Sequence, residues 1–282
     1  METPFDRRLR RLRRDRAARG SAEADYLHRA AADELLERLS FVKRDFRRAL
    51  DLGCADGYLT HRLRERRLEV VPCDAGGAFA AAAAGIQADE DRLPFEPQSF
   101  DLVVSAGVLD TVNDLPGALI QIRRSLRPDG LFLGAFAGAG SLPALKRAML
   151  AGDAVAGRAA PRIHPQIEVR AAGDLLTRAG FALPVVDVQS LDVRFPHLLR
   201  LIGDLRAMGA TNVLTDRGPP LSRAALAAAI EHFASEAEAD GKTKERFEII
   251  HVLGWAPSPD QPKPAARGSG KASLAAALRP RT

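Results

Sequence analysis

The chain is poor in cysteine, with two in 282 residues, and Cys54 and Cys73 stand 19 positions apart with no C-x-x-C pair and no Cys/His cluster around them. Neither a disulfide framework nor a zinc site is indicated, and both thiols are expected to pack as small apolar groups at strand ends. No apolar run approaches the roughly 18 to 20 residues that a spanning helix needs, and the first residues lack a hydrophobic signal segment. Secretion and stable membrane insertion are not expected. The six histidines are scattered, without the H-x-D/E pair of a two-histidine, one-carboxylate iron site. A G-x-S-x-G elbow and a phosphate-binding P-loop are both missing, so acyl hydrolysis and nucleotide phosphate hydrolysis have no support.

What is present is ordinary for a folded protein: 46% hydrophobic and 27% charged residues. The length fits one large domain, or one domain with an insertion. The net charge of +5 is not spread evenly. Residues 1–20 carry +5 and residues 256–282 carry +4, which leaves the body between them at −4. A basic face for nucleic acid is therefore not expected on the body, although the ends could touch phosphates or anionic lipid. The expected location is the cytoplasm of a bacterial cell, ahead of a mitochondrial matrix.

The Arg-rich start, residues 7–19, reads as a solvated amphipathic helix that continues through Tyr26, Leu27, Leu35, Leu36, Leu39 and Val42 and covers the sheet with its second part. From position 47, short apolar strands alternate with helical patterns, the βαβ signature of a parallel, doubly wound sheet. Strands are expected at 49–52, 69–73, 86–88, 100–105 and 131–136, with helices at 59–66, 79–84 and 115–126 and a turn at 127–130. A helix at 171–179, a strand at 185–189 and a final strand at 247–255 complete a seven-stranded, mostly parallel α/β sheet with helices on both faces. Residues 193–246 contain two helical patterns, 196–208 and 222–239, too long for a plain connection, and are read as a helical insertion over the ligand cleft. The division is thus an N-terminal helical segment at 1–46, a nucleoside-binding domain at 47–255, and a flexible basic tail at 256–282 rich in Pro, Gly and Ser.

Asp51, Gly53 and Gly57 form D-x-G-x-A-x-G where the first strand meets the next helix. A loop there must turn tightly and bring backbone N–H groups against a ligand, which larger side chains obstruct. Alone the pattern is weak. Carboxylates at successive strand ends strengthen it, because ligands of open parallel sheets lie outside the carboxyl ends of the strands. Asp74, 23 residues after Asp51, is placed to accept from a ribose diol, and Asp89 from an adenine amino group. Both could instead be turn residues capping local backbone. Cys54, Ala55, Glu90 and Ser105 complete the candidate cofactor-binding set.

Taken together, ALDLGCADGYL, CDAGG, ADEDRLPFEPQSFDLVVS, VNDLPGAL and LRPDGLFLGAF resemble successive motifs of class I S-adenosylmethionine-dependent methyltransferases over residues 47–136. The resemblance implies a Rossmann-like fold and S-adenosylmethionine as cofactor. It also implies that Asp51, Gly53 and Gly57 hold the methionine part, Asp74 the ribose and Asp89 the adenine. A narrower resemblance runs along nearly the whole chain, through PFDRRLRRLRRDRAA, DYLHRAAADEL, DLRAMGATN, FEII, GWAPSPDQPKP and RGSGKASLAAAL. These segments are similar to the complex I assembly factor 5 group and its bacterial relatives. In mitochondria that group is associated with hydroxylating an arginine of a complex I subunit.

Three departures from that group fall near the cleft. Ala55 stands where relatives usually carry Gly; Asp110 and Thr111 follow strand four where they show His then Trp or Thr; and a Gly-Gly-Asp-Thr-Leu pattern appears as Gly138, Ala139, Gly140, Ser141 and Leu142, without its acid. Asp110, the candidate catalytic residue, has three open readings: a base or cation-binding group, an N-cap of the following turn, or a sign that the chemistry is reduced. Three functions follow. The first is a methyltransferase whose acceptor, a protein or a small molecule, is not named by the sequence and whose rate comes mainly from alignment. The second is an assembly factor that hydroxylates or chaperones a respiratory complex I subunit. The third is a carboxyl methyltransferase acting on a carrier-bound acyl chain.

Overall fold

The computed structural model describes residues 3–20 and 24–261; the expected tail beyond 261 lies outside them. In chain order the elements are α1 (Arg7–Ala17), α2 (Tyr26–Phe41), β1 (Arg48–Leu52), α3 (Tyr58–Glu65), β2 (Glu69–Asp74), α4 (Gly77–Ala82), β3 (Ile86–Gln87) and β4 (Phe100–Ala106). There follow α5 (Leu115–Ser125), β5 (Leu126–Ala137), α6 (Pro143–Val155), α7 (Val169–Arg178), β6 (Ala182–Phe195), α8 (Leu198–Ala207), α9 (Arg223–Ser235) and β7 (Thr243–Trp255).

The strands form one sheet in the order β3-β2-β1-β4-β5-β7-β6. β1 to β5 run parallel, and β7 lies antiparallel between β5 and β6. This is the Rossmann-like architecture expected, and its period-two alternation explains why both faces are covered. Ala49, Leu102, Leu131 and Leu133 pack against Leu35, Leu36, Leu59 and Leu63 of α2 and α3. Their neighbours Leu50, Val103 and Phe132 pack on the other face against Leu119, Ile122 and Leu176 of α5 and α7. Each such leucine, essentially removed from water, contributes about 1.5–3 kcal/mol of transfer free energy.

Five features differ from the sequence reading. The N-terminal segment is two helices rather than one. α1 is solvated on one face only, with Arg8, Arg11, Leu12 and Arg16 exposed but Arg10 and Arg14 buried. α6 was not expected; Ala144, Leu145, Ala148 and Met149 fold it against Phe233 and the strand residues Phe195 and Phe247 in a cluster of its own. The pattern that hid it is an i, i+1, i+4, i+5 stripe shared with small residues, which gives little contrast. β6 is far longer than 185–189, since an edge strand exposed on alternate residues shows no apolar run. As a result 193–195 belong to β6 and 243–246 to β7, and the helices α8 and α9 lie between them. The 127–130 turn sits inside β5 as an irregularity, with Asp129 at φ 64° and a register shift opposite Phe100 and Leu102.

The chain start is pinned at two places. Phe5 pairs with Leu214 and packs on Val213 of the α8–α9 connection. Asn113 also clamps it: Asn113 Oδ1 accepts from Phe5 N (2.8 Å) while its Nδ2 donates to Phe5 O (3.0 Å). Asp6 then caps α1 by accepting from Leu9 N (2.9 Å). α1 is thereby laid across the carboxyl ends of β2 and β3.

Candidate functional site

The loop after β1 turns at Gly53, whose φ is +86° and whose missing side chain leaves room for Val108; an added Cβ would lie 2.5 Å from that valine's methyl groups. Only glycine satisfies both demands. Ala55 follows at φ 47°, a left-handed conformation that costs a non-glycine residue about 1 kcal/mol. Ala55 lines the cleft. Gly57 stands at the N-cap of α3. Cys54 and Cys73 are free and fully buried, as expected, and burial pushes the Cys73 thiol up to about 12.

Asp51 does not reach the cleft. Its carboxyl is buried and accepts from Thr60 Oγ1 (2.5 Å) within α3, with its other oxygen unpartnered. Burial raises its pKa to about 7, against the Thr60 hydrogen bond. Ser105, at the end of β4, is buried with its hydroxyl unpartnered.

The acids expected to hold a nucleoside all stand at the strand ends, and each is met by an arginine of α1. Asp74 Oδ1 accepts from Arg14 Nε (2.7 Å) and Gly76 N (2.7 Å), and its Oδ2 from Arg14 Nη2 and Ala55 N (3.1 Å). Burial works to raise this carboxyl, but the charge and hydrogen bonds of Arg14 and the two amides outweigh it and hold the group below the usual range. Asp89 accepts from Arg11 Nε (3.2 Å) and Nη2 (2.5 Å). Glu90 takes a two-pronged pair from Arg10 at 2.8 Å each, and Asp91 pairs with Arg7. Arg10 also donates to Thr111 Oγ1 (2.9 Å), which ties α1 to the loop after β4.

Beside this layer opens a cavity of about 300 Å³ at the carboxyl ends of β1, β4 and β5, at the lower end of the range of small-molecule sites. Its position is the point where strand order reverses between β1 and β4, where open α/β sheets bind ligands. Arg14 forms the wall between the cavity and Asp74; Asp74, Asp89 and Glu90 themselves do not line it. The walls are mainly apolar, from Ala31, Ala106, Phe136 and Phe247, with four acids set into them: Asp110, Glu248, and Asp25 and Asp56, which Arg29 holds. Asp110 lies in a short 3-10 turn, Leu109–Thr111, and is not the cap of α5, which is Asp114 accepting from Gly117 N (2.9 Å). Burial pushes the Asp110 carboxyl up to about 6, opposed by its own amide and the charge of Arg10. Among the described residues neither Asp110 nor Glu248 has a cation at ion-pair distance, and the Glu248 carboxylate accepts from Gly140 N (3.0 Å) alone.

Two cavity residues escaped sequence reasoning. Glu248 interrupts the apolar run of β7, and a charge in a buried strand is a signal that was available. His28 gave none: it lies on α2 with Nε2 buried and unpartnered, and burial lowers its pKa so that the ring is neutral. The residues present fit S-adenosylmethionine at the glycine turn and in having a carboxylate, Asp74, at the end of β2; that carboxylate carries two loop amides and is also held by Arg14.

A methyltransferase domain matches residues 50–134. Arginine-hydroxylase NDUFAF5, mitochondrial, of Danio rerio is 35% identical over 283 residues, covering 96% of this chain and 88% of that protein. A malonyl-[acyl-carrier protein] O-methyltransferase of Laribacter hongkongensis is 30% identical, covering 86% of this chain and 87% of that protein. Among solved structures, the YcgJ protein of Bacillus subtilis superposes with a TM-score of 0.57 at 15% identity, covering 82% of this chain and all of that one, which speaks to the fold alone. No described helix is long and apolar enough to cross a membrane.

Proposed function

The chain belongs to the class I S-adenosylmethionine-dependent methyltransferases and, within them, to the arginine-hydroxylase NDUFAF5 family; from that premise we propose that its acceptor is a guanidinium group of a protein. The observation that carries this reading is two carboxylates, Asp110 and Glu248, that stand without an ion-pair partner among the described residues in a mainly apolar cavity, whose other lining acids, Asp25 and Asp56, are held by Arg29. In such surroundings an unpaired carboxylate is costly, and a cation that meets two of them gains charge-assisted hydrogen bonds of the strong kind. A malonyl acceptor, itself a carboxylate, meets repulsion there. The basic residue among those lining the cavity is Arg14, and Asp74 already neutralises it.

When bound, S-adenosylmethionine supplies an electrophilic methyl group. Asp110 and Glu248 orient the guanidinium and keep its plane fixed in the cavity. Asp110, with a carboxyl near pH 6, takes the proton that the nitrogen loses as its new bond forms. The apolar walls exclude water, and most of the rate comes from alignment. The protein partner we propose is a respiratory complex I subunit met in the cytoplasm, a reading supported by the 35% identity to a protein named arginine-hydroxylase NDUFAF5. That name also favours a second reading, in which the same guanidinium gains an oxygen instead, a two-electron oxidation that requires an external oxidant such as dioxygen together with a reductant for its second oxygen atom.

Two measurements test this. Calorimetric titration with S-adenosylmethionine is expected to show one site, and its absence would remove the donor from the scheme. Mass spectrometry of complex I subunits co-expressed with the protein is expected to show one methylene gained on an arginine, lost with Asp110→Asn. A gained oxygen on that arginine selects the second reading, and a mark on a carboxylate or thioester overturns both.

A further inference from the structure

Arg7, Arg10, Arg11 and Arg14 stand at i, i+3, i+4 and i+7 of α1, which puts them on one face of the helix. That face reaches Asp74, Asp89, Glu90 and Asp91, the acids of the nucleoside layer. The docking is built from both sides. Gly76 allows it, since a Cβ there would lie 2.8 Å from the Cβ of Arg14. Asp15 accepts from Ala78 N (2.9 Å) and so caps α4 from outside, and the Arg14 guanidinium lies 5.2 Å from the Phe79 ring centre.

Asp74 is full. A carboxylate has about four acceptor positions, and Asp74 meets four donors, two from Arg14 and one each from Ala55 and Gly76. A ribose diol brings further donors to the same two oxygens. The two amides belong to the loops that form the cradle and stay with it, so Arg14 is the partner that must leave. Asp89 is in the same position, with Arg11 holding both its oxygens. The start of α1 stays riveted through Phe5, Asn113 and the Arg10–Glu90 pair, whereas Ala17 and Ala18 at its end already border the cavity. Release is therefore confined to the last turns of the helix.

We propose that Arg14 is the residue that sets the affinity for the donor, by competing with the nucleoside for Asp74, with Arg11 doing the same more weakly at Asp89. The inference rests on the donor site of the proposed function. Its chemical consequence is a site that discriminates by what displaces an arginine: a ligand with a vicinal diol succeeds, and one without it fails. The freed guanidinium remains at the edge of the cavity, next to the acceptor's path.

The test uses the full chain in calorimetric titrations with S-adenosylmethionine and, separately, with adenosine, which shares the diol but not the sulfonium. Arg14→Gln is expected to tighten both by about tenfold or more, the size that one charge-assisted pair commands. Arg11→Gln, whose side chain is 45% exposed, is expected to tighten them by a few fold, and it keeps the test alive if Arg14→Gln fails to fold. 2′,3′-Dideoxyadenosine is expected not to bind the wild-type protein. Unchanged or weaker binding by the folded Arg14→Gln protein, or by Arg11→Gln where that one alone folds, overturns the inference while leaving the donor site standing. If neither probe binds either the wild type or the variants, the donor site itself fails, and the inference falls with it.

Discussion

The two ends of the cleft are built on opposite electrostatic plans. At the nucleoside end, Asp74, Asp89, Glu90 and Asp91 each hold an arginine of α1, and the layer is neutral within itself. At the end we propose for the acceptor, Asp110 and Glu248 stand in a mainly apolar cavity without an ion-pair partner among the described residues, and the arginine that lines it, Arg14, is held by Asp74. On the proposed function the first end, paired as it stands, opens to bind, and the second, with two unpaired carboxylates, gains by binding. Charge count alone does not separate them, because both are acidic in sequence.

The sharpest way to break this comparison is to remove one acid from each end. Asp74→Ala strands the buried Arg14 guanidinium and is expected to lower unfolding free energy by about 3–5 kcal/mol, read by urea denaturation. Asp110→Ala, which strands nothing, is expected to change it by no more than about 1 kcal/mol. Equal losses would mean that Asp110 is a structural acid like the others. In turnover the order reverses for Asp110→Asn, where a loss of roughly 10²–10⁴ fold is expected from a proton-accepting group. The wild-type rate is expected to rise with pH through about 6 as the Asp110 carboxylate forms, and to vanish below it.

A smaller effect separates Asp51 from its neighbours. Its folded pKa of about 7 lies above the value near 4 of an unfolded chain, so the native state retains a proton that the unfolded state releases. Its contribution is fully present below about pH 4 and declines as pH rises to 7, which is opposite in sign to the Asp74–Arg14 pair. Asp51→Asn, keeping the hydrogen bond with Thr60, is expected to flatten that decline and to stabilise the protein by on the order of 2 kcal/mol at pH 8. Thermal unfolding across pH 4 to 8 checks it. Smallest of all, Ala55→Gly relieves the left-handed strain at φ 47° and is expected to raise stability by about 1 kcal/mol, seen as a higher Tm.

The row of acids at the strand ends was legible in sequence because it follows the strands by short, regular spacing, and because the parallel strands of the sheet centre are buried on both faces and read as apolar runs. Asp51 shows the limit of that reading: its motif was right, yet its side chain turns inward to Thr60. The arginines of α1 were visible, but their partners lie 60 to 84 residues away, and nothing local says that a basic helix is buried rather than solvated. α6 and the long β6 were missed because small-residue stripes and half-exposed edges give weak periodicity. The acceptor end was least legible. Asp110 and Glu248 lie 138 positions apart, and only the antiparallel return of β7 beside β5 brings Glu248 to the mouth where Asp110 stands.

The central claim is that this mouth is finished by a cation. The most direct measurement is calorimetric titration of the protein, loaded with S-adenosylhomocysteine, with an arginine peptide from a complex I subunit and with the same peptide carrying citrulline, which keeps the shape and removes the charge. The arginine peptide is expected to bind at least about tenfold more tightly, and Asp110→Asn to erase the difference. Equal affinity for the two peptides, or preference for a malonyl thioester, would contradict the account.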